Sequence, residues 1–385
     1  MFRTFAMSLV LAAAAASQAE ILFSDNFESG TFGLWTRVGT TTVLPAVVSQ
    51  TQANSPIFSA FFPTATTGNV ATDRYAATFS RPENVGAEAI RFSFWQYDSL
   101  ATGGGRMYCE VRSYDSNSYG VGALEQLYAM GKNNSVTATG DVYNGARYQG
   151  RGAFSVFPGT SGWFNMNTGV ARSIGWHHFE AIIGPNSIVW LVDGVFARLT
   201  PRGANGSLDS IVMGSVLGSD NHDTYWDDIV VEAIPFAYAP SAYRVVSGSY
   251  FGGDVNSLRS SDDDKLFILN DENGPNANVE FDVFIPSATL SSMQVQFETS
   301  ATRSDLTQFA DIYNFSTSAF VVLGVNASTT SDAQYTFNPT GPFEQYLETA
   351  TQRAMLRLRY FPNEDLVAED GWSETIDQIQ VFATP

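Results

Sequence analysis

The chain of 385 residues contains one cysteine, three histidines and 20 basic residues against 39 acidic ones. A single thiol, Cys109, excludes any intramolecular disulfide. Its setting, Arg106-Met107-Tyr108-Cys109-Glu110-Val111, alternates like a strand and holds nothing that would lower the thiol pKa. An inert buried thiol is therefore expected there, not a nucleophile. The shortage of Lys and Arg argues against nucleic acid, whose phosphates demand cations, and against anionic membrane surfaces. It is compatible with solubility and with divalent cations, although a solvated acidic surface already accounts for it. His177 and His178 are adjacent, and consecutive strand side chains diverge to opposite faces, so the two cannot share a zinc site. One is expected buried beside Trp176 and the other exposed, with His222 in the Ser219–Asp223 loop.

After residue 19 no segment reaches the roughly 18 apolar residues of a membrane helix, which implies no membrane insertion. Residues 1–19 have the pattern of a secretory signal peptide: Arg3 is the basic start, Met7–Ala16 the apolar stretch, and Ser17-Gln18-Ala19 a small-residue cleavage site. A secreted or cell-surface location follows as an expectation, and export without disulfides suits a bacterial envelope or extracellular protein. Without Arg3 the net charge falls from −19 to −20. The remaining length of about 365 residues exceeds one ordinary domain, so two are expected.

What is present in abundance is Gly, Ser, Thr and large apolar residues in short alternating runs. Such runs recur at Ala89–Tyr97, Arg106–Tyr114, Trp176–Ile183, Ile188–Val192 and Thr224–Val231. They continue at Val279–Ile285, Met293–Glu298, Ala319–Val325 and Arg353–Phe361. In Ile90–Tyr97 the apolar residues hold the even positions until Trp95, the pattern of a strand with one face in a core. Only Phe343–Ala354 and Ala123–Met130 have a weak helical cast. The fold class is all-β: two β-sandwich domains of jelly-roll type in tandem after the signal peptide. The boundary falls at Pro235 and Pro240, which break strand pairing and stiffen a linker over 235–240. The first domain then spans 20–234 and the second 241–385. Each closes on an acid-bearing strand, Tyr225-Trp226-Asp227-Asp228-Ile229 and Thr375-Ile376-Asp377-Gln378-Ile379.

The stretch Gly175-Trp176-His177-His178 through Asp193-Gly194 reads as a hairpin with a Gly184-Pro185-Asn186-Ser187 turn. It resembles the laminin-G and concanavalin A-like lectin/glucanase superfamily. The opening Asp25-Asn26-Phe27-Glu28 with Trp35, and the closing Trp226-Asp227-Asp228-Ile229, are similar to laminin-G-like and meprin-type jelly rolls. That resemblance implies a sandwich over about 21–234 whose first and last strands are neighbours. It also implies a structural calcium ion held by acids on those strands, for which Asp25, Glu28 and Asp228 are the candidates. Asp227 and Asp228 should face opposite sides of their strand, so one of them at most serves a given site. The family's hydrolases carry E-x-D-x-x-E or E-x-D-x-E on one strand, and no such string occurs here. Over about 241–384, Ser257-Leu258, Ser261-Asp262-Asp263 and Leu266 loosely resemble a β-sandwich appended to exported bacterial surface proteins. The run Asp262-Asp263-Asp264 lacks the oxygen ligands and terminal glutamate of an EF-hand, and reads as a charged loop before a strand.

Tyr148, Arg151, Trp163 and Asn165 precede the hairpin in a loop-rich region and are the candidate ligand-binding residues. Aromatic faces stack on sugar C–H surfaces while Asn and Arg fix hydroxyls; the same rings could instead roof the sandwich. Trp163 is expected on a Gly-flanked turn, whereas Trp176 and Trp190 are expected in the core. No catalytic residue is assigned, since neither a Gly-x-Ser-x-Gly elbow nor a nucleotide-binding glycine pattern is found. The expected function is an exported, non-catalytic carbohydrate-binding or adhesion protein, calcium-stabilised, whose partner is a polysaccharide or glycoconjugate. The alternatives are a glycan-active hydrolase or lyase on the same jelly roll, and a structural envelope or matrix protein.

Overall fold

The computed structural model describes residues 19–384 apart from 39–44, 65–72, 85–87, 104, 155–161, 203–206, 215–221, 235, 260, 271–275, 288 and 364–370. The signal-peptide reading of residues 1–19, Ser219–Asn221 and Pro235 therefore fall wholly or mostly outside what is described. Among the described residues there is no α-helix, only two short 3₁₀ turns between antiparallel strands. No helix is long and apolar enough to cross a membrane.

Residues 20–234 form two sheets. In the eight-stranded sheet the order is Val195–Pro201, Ser187–Val192, Gly175–Ile183, Ala89–Asp98, Thr224–Ile234, Ser59–Phe62 and Val47–Ser49. Strand Glu20–Asp25 also pairs with Thr224–Ile234, through residues 229–233, while Ser59–Phe62 takes residues 224–226. First and last strands are thus neighbours. In the seven-stranded sheet the order is Gly162–Asn165, Gln149–Phe154, Leu124–Lys132, Met107–Tyr114, Ser207–Gly214, Arg74–Asn84 and Thr36–Arg37. Alternation aims Phe92, Phe94, Phe179 and Trp190 from the first sheet at Met107, Cys109, Val111, Tyr128 and Met130 from the second. This is the β-sandwich that the laminin-G-like resemblance implies. Cys109 is buried in that core, and burial pushes its thiol pKa well up.

Residues 237–384 form a six-stranded and a five-stranded sheet around a second core. Within the linker, Ala237 and Tyr238 are no free spacer: they pair with Phe382 and Val381, and Tyr238 is fully buried. The hairpin's apolar run explains itself here. Ile183, Ile188, Trp190 and Val192 face the first core, while Ile182, Val189 and Leu191 join the second. A strand buried on both faces needs no polar alternation. The weak helical cast of Ala123–Met130 is corrected to strand Leu124–Lys132, whose Tyr128 and Met130 face the core and whose Leu127 and Ala129 face outward. In Phe343–Ala354 only Phe343–Tyr346 coils, as a 3₁₀ turn, before strand Arg353–Pro362 begins.

Candidate functional site: an aromatic row and two acidic clusters

Strand Ala89–Asp98 sends Phe92 and Phe94 inward, so Trp95 and Tyr97 must point out of the sandwich. Register then aligns Trp176, Tyr97, Tyr225 and Phe61 on four neighbouring strands, with exposed Val47 on the fifth. Ring centroids are 5.6 Å apart for Trp176–Tyr97, 5.9 Å for Tyr97–Tyr225 and 4.6 Å for Tyr225–Phe61. Three inter-strand spacings make the row roughly 14 Å long. Trp176, Tyr97 and Phe61 are half-buried, and Tyr225 is buried between them. Beside the row, Trp95 lies 5.1 Å from His178. Trp176 is thus an outer-face residue, a correction to its expected place in the core. The break in alternation at Trp95 was the signal for this face.

At the Trp176 end the row meets a cavity of about 420 Å³ where the second sandwich abuts the first. Its polar walls include Glu180, Asp193, Asp254, Asn256 and Arg259. Glu180 accepts from Arg259 at 2.7 Å and from the Ser241 hydroxyl at 3.0 Å. Burial alone would raise its carboxyl pKa, but Arg259 and Arg91 outweigh it and bring the group down to about 2. The two histidines diverge as strand geometry requires. His177 is buried, with Nδ1 2.7 Å from Asp193 and Nε2 2.9 Å from Ser173. His178 is half-buried in the cavity wall, not exposed, and burial lowers its pKa to about 4. The unfolded chain therefore binds the His178 proton more tightly than the folded one. Between about pH 6.5 and pH 4 this costs stability as pH falls, of order 2–3 kcal/mol. Denaturant titrations at pH 7 and pH 4 should show that extra loss in the wild type and its absence in His178→Asn.

The four candidate ligand residues do not form one site. Tyr148 is fully buried in the first core, edge-on to Phe179 at 4.8 Å with Arg172 over its ring. Asn165 is buried and holds the preceding loop, donating to the Val142 carbonyl and accepting from the Asn144 amide. Trp163 lies within strand Gly162–Asn165, not on a turn, and register places Arg151 beside it on the outer face of the seven-stranded sheet. There it packs with Tyr108 at 4.8 Å, under the Arg151 guanidinium at 5.6 Å, with 9% of its surface exposed. The open stacking platform expected at Trp163 is corrected to a small apolar cluster with Leu127 and Ala129. A ring so covered offers no free face.

The three acids expected around one ion also divide. Asp25 uses one oxygen on the Phe27 amide (2.8 Å) and the other on the Trp35 indole (2.7 Å), anchoring the turn to the core. Glu28, Asp227 and Asp228 gather instead around segment 54–58. Glu28 accepts from the Ile57 and Phe58 amides, Asp227 from the Asn54 and Ser55 amides, and Asp228 from the Asn54 side chain. The last strand bulges here, and Asp228 has a φ of 45°. That bulge overturns the expectation that Asp227 and Asp228 face opposite sides, because it breaks the alternation. The Ser55 hydroxyl lies 3.4 Å from the Asn26 carbonyl, 3.2 Å from Glu28 and 2.9 Å from Asp227. Burial raises the carboxyl pKa of Asp227 and Asp228, and each is raised further by a neighbouring acid. A second group, Asp263, Asp332 and Asp377, has ligand oxygens all within 4.8 Å of one another. It was missed because its members are dispersed in sequence over three segments.

No protein-family model matches the chain, and no curated protein sequence matches it. Among solved structures it is similar to the N-terminal CBM22-1-CBM22-2 tandem domain of Paenibacillus barcinonensis Xyn10C, at 12% identity over 97% of this chain and 99% of that one, TM-score 0.31. It is similar to a glycoside hydrolase family 16 endo-glucanase from Bacteroides ovatus, at 15% identity over 55% and 100%, TM-score 0.36. The VIP36 exoplasmic/lumenal domain in its Ca²⁺/Man3GlcNAc-bound form aligns at 9% identity over 57% and 90%, TM-score 0.37.

Proposed function

We propose that the chain is an exported carbohydrate-binding protein that lays a polysaccharide or glycoconjugate across the outer face of its eight-stranded sheet. The observation that carries this reading is the row Trp176–Tyr97–Tyr225–Phe61, in register on four strands and partly open to solvent. Sugars offer C–H faces to aromatic rings and hydroxyls to polar groups. The row supplies the first partner, and Asp193, Asp254, Asn256 and Arg259 at its end supply the second. Binding is favoured over turnover because the nearby acids are already engaged: Glu180 by Arg259 and Ser241, Asp193 by His177. Neither is left as a free member of the carboxylate pair that glycoside hydrolysis needs. Calorimetric titration of the full chain against a panel of soluble polysaccharides tests this. Trp176→Ala and Tyr97→Ala should each weaken the best ligand by about 5- to 100-fold, the scale of a lost aromatic anchor. Wild-type affinity in both folded variants would remove the row from the reading.

Calcium belongs to the same proposal, with a changed ligand set. Glu28, Asp227 and the Asn26 carbonyl bring hard oxygens around Ser55, with Asp228 at the neighbouring Asn54, and calcium takes six to eight such ligands. Asp25 turns to the Phe27 amide and the Trp35 indole, away from Ser55, and is left out of the set. An ion there would join the turn after the first strand to the last strand and add about 2.7 kcal/mol at a hundredfold excess over Kd. The full chain should melt higher in calcium than in EDTA. That part of the shift assigned here should be missing in Asp228→Ala; an equal shift in the variant would dismiss this site.

A further inference from the structure

The last strand of each sandwich carries an aspartate at a bulge. In the second, register runs from Glu298–Gln378 to Thr299–Ile376, so Asp377 is the extra residue. A bulge re-aims the side chain it carries. Asp377 is 2% exposed, yet its Oδ1 has no hydrogen-bond partner. An unpaired carboxylate oxygen so deep is costly unless a proton or a cation answers it. Exposed Asp263 and Asp332 close on the same point, all three within 4.8 Å. Asp332 is held in place by the Ser300 hydroxyl at 2.9 Å.

We propose that Asp263, Asp332 and Asp377 form a divalent-cation site on the second sandwich, for which the Lys265 ammonium stands in when no ion is bound. Lys265 Nζ lies 2.7 Å from Asp332 and 3.6 Å from Asp263. One ammonium faces three carboxylates, with Glu298 near enough to push the Asp377 pKa further up after burial has raised it. The local charge stays negative with Lys265 in place. Lys265 sits on a flexible stem and can swing out, whereas Asp377 is fixed by its strand and Asp332 by the Ser300 hydroxyl. An all-oxygen donor set selects calcium or magnesium over zinc or copper. Two of the acids are exposed, so water completes the shell and the looser geometry favours calcium. Affinity should fall in the weak range of extracellular calcium modules, about 10⁻⁴–10⁻³ M. A surface depression of about 470 Å³, with Ser300, Thr302, Thr330 and Thr375 in its wall beside Asp263 and Lys265, keeps the site open to solvent.

Calcium titration of the full chain, followed calorimetrically and by sensitised terbium emission, decides the matter. The Asp228→Ala background removes the first sandwich's cluster from the readout. In it, calcium should still bind with one equivalent, and Asp377→Asn or Asp332→Asn should weaken that event at least tenfold. Lys265→Met, which removes the competing ammonium, should tighten it severalfold; a merely structural acid cluster would not respond in this direction. Asp332 is exposed, so its variant keeps the test valid if Asp377→Asn misfolds. No uptake in Asp228→Ala, or uptake indifferent to Asp332→Asn and Lys265→Met, overturns the proposal.

Discussion

Asp98→Asn should cost about 3–5 kcal/mol of folding stability, a large share of what a globular chain possesses. Asp98 is fully buried at the end of its strand between two cations, Lys132 Nζ at 3.1 Å and Arg172 Nε at 2.9 Å, whose side chains are themselves buried. It ties three strand ends together, since Lys132 also reaches the Thr224 hydroxyl at 3.1 Å. Removing the carboxylate leaves two buried charges facing one amide. Burial already lowers the Lys132 pKa, and Asp98 is the group opposing that shift. In the variant the folded state should therefore favour neutral Lys132, and its stability deficit should shrink as pH rises toward the unfolded lysine pKa. Urea titrations of wild type and variant at pH 7 and pH 9.5 measure both effects. A deficit below about 1 kcal/mol at pH 7 would mean that water reaches this triad.

Trp190→Ala should lose about 3–5 kcal/mol, while Trp176→Ala on the same hairpin should lose much less. Trp190 is fully buried, edge-on to Phe164 at 5.3 Å, and its indole donates to the Thr200 hydroxyl at 2.8 Å. Truncation opens a cavity between the sheets and leaves Thr200 without its donor. Trp176 contacts Tyr97 on the outer face and keeps one side toward solvent, so its loss should be read mainly in ligand affinity. Equilibrium denaturation of the two variants separates the roles, and equal stability losses would place both rings in the core.

The hairpin was legible because its signals are local. Short apolar runs and turn chemistry set Gly175–Ile183, Ser187–Val192 and the Asp193-Gly194 turn, where both residues have positive φ. The outer aromatic face was only half legible. Trp95 and Tyr97 break the inward pattern of Phe92 and Phe94, but nothing in one strand says that Trp176, Tyr225 and Phe61 lie beside Tyr97. That is a matter of strand order. Trp163 misled for the converse reason: an aromatic flanked by glycine resembles a loop, and the neighbours that cover it, Tyr108 and Arg151, come from two other strands. A bulge defeated the acid reading, since the extra residue at Asp227–Asp228 redirects side chains that strict alternation would aim elsewhere.

The hairpin glycines carry one more implication. A Cβ on Gly184 would sit 2.5 Å from the Pro286 carbonyl, and one on Gly194 would sit 2.4 Å from that of Ser241. Both turns of the first sandwich thus lie flush against the backbone of the second, over the shared apolar seam of Ile182, Val189 and Leu191. There is no joint at this seam. A pull on a polymer held at the proposed face should pass straight into the second sandwich, with no slack for a hinge to take up. A chain cut at residue 234 would bare a sticky face, and should clump where the intact protein stays dispersed.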